Sequence, residues 1–71
     1  MKYGEFQIAV IELAQTGVRI SVANVVATLR IEPAKAEQWL DEMARSGHLD
    51  LELDEEVGAI FYRVPGLTLQ Q

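Results

Sequence analysis

His48, Asp50, Glu52 and Asp54 occupy every second position, and they are where chemistry-bearing groups share a regular spacing in this 71-residue sequence. Three carboxylates and an imidazole are groups that a divalent cation accepts as ligands. On an extended strand, however, neighbours on one face stand roughly 7 Å apart, too far to close on one ion without a second element. The expected state is an exposed polar strand face that binds no metal. Nucleophilic catalysis is no better supported. Ser46 and Asp50 flank His48, but their spacing orders no nucleophile, base and orienting group around a pocket. The chain has one His and no Cys, which removes disulfides and thiolate metal sites. A domain this small also has little concavity from which to exclude water. The residues predict no enzyme, no cofactor and no small-molecule substrate.

The elements that would position these groups are written in apolar spacing. Phe6, Ala9, Val10 and Leu13 fall at i, i+3, i+4, i+7, and so do Val22, Val25, Val26 and Leu29. Ala36, Trp39, Leu40 and Met43 repeat the pattern, each set making one stripe on a helix. Pro33 stands between the last two sets and prevents their fusing into one helix. The first helix is predicted from about Gly4 to Gln15, stopped by Thr16-Gly17 with Gly17 in the left-handed position. Val18-Arg19-Ile20 alternates as a short strand, and Ser21 caps the second helix, which ends near Arg30. Ile31 plugs the turn, Glu32 caps the third helix, and Pro33 takes its first position, where a missing N–H costs nothing. That helix runs to about Ser46, with Gly47 as its stop. His48 to Leu53 then alternates strictly, Leu49, Leu51 and Leu53 on one face. Asp54-Glu55-Glu56-Val57-Gly58 reads as a hairpin loop and Ala59 to Val64 as the returning strand. The predicted class is α+β, a winged helix-turn-helix of three helices and a small antiparallel sheet, in the order helix-strand-helix-helix-strand-strand. Residues 1–66 form the domain, and 67–71 are expected to be a flexible tail or the start of a linker.

The expected core is Phe6, Val10, Leu13, Val22, Val26, Leu29, Ile31, Ala36, Trp39, Leu40, Met43, Leu49 and Leu51, with Ile60, Tyr62 and Val64 favoured as the inward set of the last strand. One core of this size is marginal unless helices pack well or a second subunit helps. The longest apolar run, Ile8 to Ile11, is too short to span a bilayer. Met1 to Glu5 lacks a signal-peptide plan, so a cytoplasmic chain is expected.

This order of elements resembles the winged-helix domains of small bacterial regulators, such as the multiple-antibiotic-resistance and arsenic-type repressors. The resemblance covers roughly residues 5–64. It rests on Val22-Ala23 through Leu29, the turn Ile31-Glu32-Pro33, Leu40, Met43, Gly47-His48-Leu49 and the closing Phe61-Tyr62-Arg63-Val64. The order is equally similar to winged-helix modules that bind proteins, including small iron-transport-associated ones, whose wings carry cysteines this chain lacks. In the DNA-binding members helix three enters the major groove and the wing touches the flanking backbone. The resemblance therefore implies Arg30, Lys35, Gln38 and Arg45 as the DNA contacts of such a regulator.

Charge distribution opposes that role. The net charge is −5, and residues 31–71 hold nine acids against three cations. Lys and Arg contacts to phosphate supply most duplex affinity, whereas helix three and the wing tip present Glu37, Asp41, Glu42, Asp54, Glu55 and Glu56. This acidic face is either a solubilising surface or one that selects a basic partner. A second candidate interface lies on helix one, where Ile8 and Ile11 fall off the core stripe, with Gln15 beside them and Tyr3 extending the patch. The expected function is a protein-interaction or dimerisation module, compatible with the N-terminal domain of a longer protein. Its partner would be another protein or a second copy, with no membrane involved. The alternative is a DNA-binding transcriptional regulator.

Overall fold

The computed structural model describes residues 1–66; the tail expected at 67–71 lies outside them. Three helices precede a two-stranded antiparallel sheet: α1 (Tyr3–Gln15), α2 (Val22–Leu29), α3 (Pro33–Arg45), β1 (Asp50–Asp54) and β2 (Ala59–Arg63). This is the α+β, winged-helix layout read from the sequence.

Local chemistry sets the boundaries. The Lys2 N–H donates to Glu5 Oε1 at 3.0 Å, closing the first turn of α1 one residue earlier than expected. Gly17, at φ +89°, reverses the chain after α1, a conformation that side chains resist and glycine accepts. Ser21 caps α2 as predicted, its Oγ accepting from the Asn24 N–H at 3.1 Å. The Asn24 side-chain amide then donates to the Arg19 carbonyl at 2.7 Å, which fixes the entry into the helix. Arg30 ends α2 in the left-handed region, at φ +60°. Glu32 precedes α3 with no cap bond from its side chain, and Pro33 takes the first helical position.

The buried core comprises Phe6, Val10, Ala14, Ile20, Val25, Ala36, Leu40, Met43, Leu49 and Tyr62. Leu13, Val22, Val26, Leu29, Ile31, Trp39 and Val64 pack around it half-buried. Each helix stripe thus has a covered centre and a partly wet rim, because three short helices shield little more than the middle of each apolar face. On α2 the covered residue is Val25.

Three expectations are corrected. Leu51 was expected in the core and is exposed, and so is Ile60, of the favoured inward set; Tyr62 is the buried member of that set. The hairpin projects past the helices, so covering stops at Leu49 and Tyr62. The strand expected at Val18–Ile20 is reduced to a single bridge, Ile20 to Tyr62, since Ser21 already belongs to the cap of α2. Ala14, Ile20 and Val25 enter the core unforeseen, Val25 in place of the Val22, Val26 and Leu29 expected from α2, which are half-buried.

Candidate functional site

The register of the sheet sorts the wing into two unlike faces. Leu51 lies opposite Tyr62 and Leu53 opposite Ile60; Asp50, Glu52 and Asp54 oppose Arg63, Phe61 and Ala59. Directly opposed residues project to the same side, so Leu51, Leu53, Ile60 and Tyr62 share one face. Tyr62 is buried, whereas Leu51 is 61% exposed, Leu53 62% and Ile60 55%. Val57, at the hairpin loop, is also exposed. Three adjacent branched side chains in water are a feature monomeric proteins rarely keep without use.

One acid of α3 meets this face at Tyr62. The Tyr62 hydroxyl donates to Asp41 Oδ1 of α3 at 3.2 Å. Burial pushes the Tyr62 phenol up to about 12, and the charges of Asp41 and Glu37 push it the same way. Glu37 and Asp41 are therefore neighbours of the residue from which the leucine face extends. Glu42 lies on the side of α3 toward α1, where burial first and then its charge raise the Tyr3 phenol.

The opposite face is locked within itself. The Arg19 guanidinium lies 3.7 Å from the centre of the Phe61 ring and pairs with Asp54 at 2.8 Å. Arg63 pairs with Asp50 at 3.4 Å. The other oxygen of Asp54 accepts the N–H groups of Glu56 and Val57 at 3.0 and 3.2 Å, holding the hairpin loop. The Arg19 hydrogen bond and these main-chain donors hold the Asp54 carboxyl below its ordinary value. Asp54 thus builds the wing, while Glu55 and Glu56 remain exposed at its tip.

Of the four residues implied as DNA contacts, Lys35, Gln38 and Arg45 are spread along α3 and Arg30 precedes it. Lys35 lies over the Trp39 ring, 5.2 Å from its centre, on the side of α3 facing α1. Arg45 pairs with Glu42 at 3.3 Å and sits ten residues along, about 15 Å at the rise of a helix. Gln38 is exposed on α3, and Arg30 is in the turn before it.

No family model, curated protein or solved structure matches this chain.

Helix one divides the second candidate interface. Ile8 is 61% exposed, Ile11 is half-buried and Gln15 is exposed, and their spacing of three and four puts them on one side. Tyr3 points elsewhere: its ring packs on Trp39 at 5.6 Å, and Trp39 packs on Phe6 at 5.0 Å. Tyr3 is thus part of the core rim, and the outward apolar patch of α1 shrinks to Ile8 and the edge of Ile11.

An open groove of about 140 Å³ runs between the end of α1, residues 17–20 and the sheet, lined by Ala14, Val18, Arg19, Glu52, Phe61 and Arg63 among others. Both of its guanidinium groups are already ion-paired. His48 and Ser46 are exposed outside it. Among the described residues no three His, Cys, Asp or Glu side chains gather to hold a metal ion, and no helix is long and apolar enough to cross a membrane.

The leucine face is what sequence reasoning missed as a surface. One signal was available. Strands of five residues reach about 17 Å, further than short helices shield, so the outer leucines of an alternating run stand in solvent.

Proposed function

We propose that this chain is a non-catalytic protein-interaction module, docking a partner through the leucine face of the wing beside the acidic flank of α3. The observation that carries this reading is the exposed set Leu51, Leu53 and Ile60, contiguous on the sheet face they share with Tyr62, whose hydroxyl bonds Asp41 of α3. Their burial contributes little to the isolated fold, and burying one such side chain against a partner stabilises by roughly 1.5–3 kcal/mol. The wing is favoured over α1 as the interface because α1 offers Ile8 and little else.

The repressor-like alternative has weaker support. A duplex must be met by cations, whereas α3 exposes Glu37, Asp41 and Glu42 beside its Lys35 and Arg45, and Arg45 is paired with Glu42. Titration of a labelled random duplex at two salt concentrations tests the choice. Affinity no tighter than about 10⁻⁴–10⁻⁶ M at physiological salt is expected, the ordinary non-specific range. Nanomolar binding that falls steeply with salt would overturn the reading and restore the DNA-binding regulator.

A further inference from the structure

The geometry points to the open edge of β1 as the place where a partner segment adds as a third strand, one that sets a Lys or Arg between two apolar residues. This inference rests on the docking reading above and specifies the chemistry of its partner. Among the described residues the sheet has two strands, so there β1 has a neighbour on one side only. The Tyr62 N–H donates to the Ile20 carbonyl at 2.7 Å, away from β1. In an antiparallel pair the main-chain groups of successive residues point to alternate sides. Leu51–Tyr62 and Leu53–Ile60 are therefore the pairs that exchange no hydrogen bonds, and the N–H and C=O groups of Leu51 and Leu53 face the free edge. The same two residues present exposed apolar side chains on the face below. Main-chain pairing and side-chain burial are offered together, which is how strand addition combines affinity with selectivity.

Charge selects the occupant. The edge strand reads Asp50-Leu51-Glu52-Leu53-Asp54, the same in either direction. If a second copy paired antiparallel about Glu52, that residue would face itself and Asp50 would face Asp54. Like charges directly opposed destabilise a sheet pair, so the strand is protected against its own copy. A cation on the added strand would instead lie beside Glu52. Asp50 and Asp54 already hold Arg63 and Arg19, and among the described residues Glu52 has no cation in ion-pair reach. Apolar residues on either side of that cation would lie on the leucine face beside Leu51 and Leu53.

The test uses the whole 71-residue chain, isotope-labelled, and a short synthetic peptide alternating Val and Lys. Saturable shifts of the Leu51 and Leu53 amide signals are expected, with slowed hydrogen exchange at both. Glu52→Lys should weaken binding about five-fold or more, as loss and reversal of one exposed charge pair predicts, and a Val–Glu peptide should not bind. Shifts confined to the side chains of Leu51, Leu53 and Ile60, with exchange unchanged at both amides, overturn strand addition and leave the docking face standing. Tighter binding of a peptide with the same composition at helical spacing does the same. Shifts centred on Ile8 of α1 overturn strand addition and the choice of the wing together. No shift at millimolar peptide overturns the inference, and the duplex titration then judges the docking reading separately.

Discussion

Leu49→Ala and Leu53→Ala should part company in stability, although both residues belong to one alternating run. Leu49 is 1% exposed and sits in the core, whereas Leu53 is 62% exposed. Removing a fully buried Leu side chain costs about 2–5 kcal/mol through lost transfer energy and the cavity left behind. For Leu53 roughly two-fifths of the residue is covered; scaling a full burial worth of about 1.5–3 kcal/mol gives a loss near 1 kcal/mol at most. A chain of this length holds about 3.5–10 kcal/mol in total, so the first variant consumes a large share and the second a small one. In thermal terms, about 4–8 °C per kcal/mol for a domain this size separates the pair clearly. Urea unfolding followed by fluorescence is suitable, because the single Trp, Trp39, packs 5.0 Å from Phe6 in the folded state. Equal losses in the two variants would refute the reasoning. The wing leucines would then be holding the fold, and the docking face would lose its basis.

Other perturbations test other joints. Ser21→Ala should cost about 0.5–2 kcal/mol in the same assay, since it removes the acceptor of the Asn24 N–H. Ile8→Glu should change stability by no more than about 0.5 kcal/mol, as exposed substitutions do; if sedimentation shows the unmodified chain to be a dimer that this variant splits, α1 is an interface after all. Tyr62 is neutral in the folded state until about pH 12, so its contribution is complete below the ordinary value of 10 and is lost as pH rises toward 12. An ultraviolet titration of phenolate should show that late ionisation, and Tyr62→Phe should remove it. Asp54 runs the other way: its lowered value makes its contribution complete above the ordinary 3.8 and lost as pH falls through the folded value. Amide exchange at Glu56 and Val57 should quicken there first, and unchanged exchange would separate the hairpin loop from that carboxylate.

The punctuation of this fold was readable from single residues. Gly17, Ser21, Pro33 and Gly47 each impose a local constraint, and helices start and stop where those constraints act. The alternation of Leu49, Leu51 and Leu53 announced a strand, but that strand begins at Asp50 and leaves His48 and Leu49 outside it. Nor could the alternation announce which leucines are covered, because that depends on how far the hairpin projects beyond the helices. Arg19 shows the same boundary. Its ring and carboxylate partners, Phe61 and Asp54, lie 42 and 35 residues away, and no local pattern encodes such a meeting. Tyr3 extends the Ile8 patch only if its ring stays on that side of the first turn; the turn is helical, but the ring packs on Trp39 instead. Among the acidic residues, Asp41 reaches the Tyr62 hydroxyl, while Asp54 works as a fastener of the hairpin.

Tyr62 joins three separate stretches of chain: its N–H reaches Ile20, its hydroxyl reaches α3, and Leu51 lies across the sheet from it. Beyond it the hairpin is held to the helices by Arg19 at Phe61 and Asp54, a surface attachment. The wing is thus cantilevered from Leu49 and Tyr62 at its root, and such a unit opens locally at lower cost than the whole domain unfolds. Amides of β1 should exchange faster than those of the helices around Val10 and Leu40. A ligand that gripped the outer wing would slow them, so the projecting hairpin would also report its own occupancy.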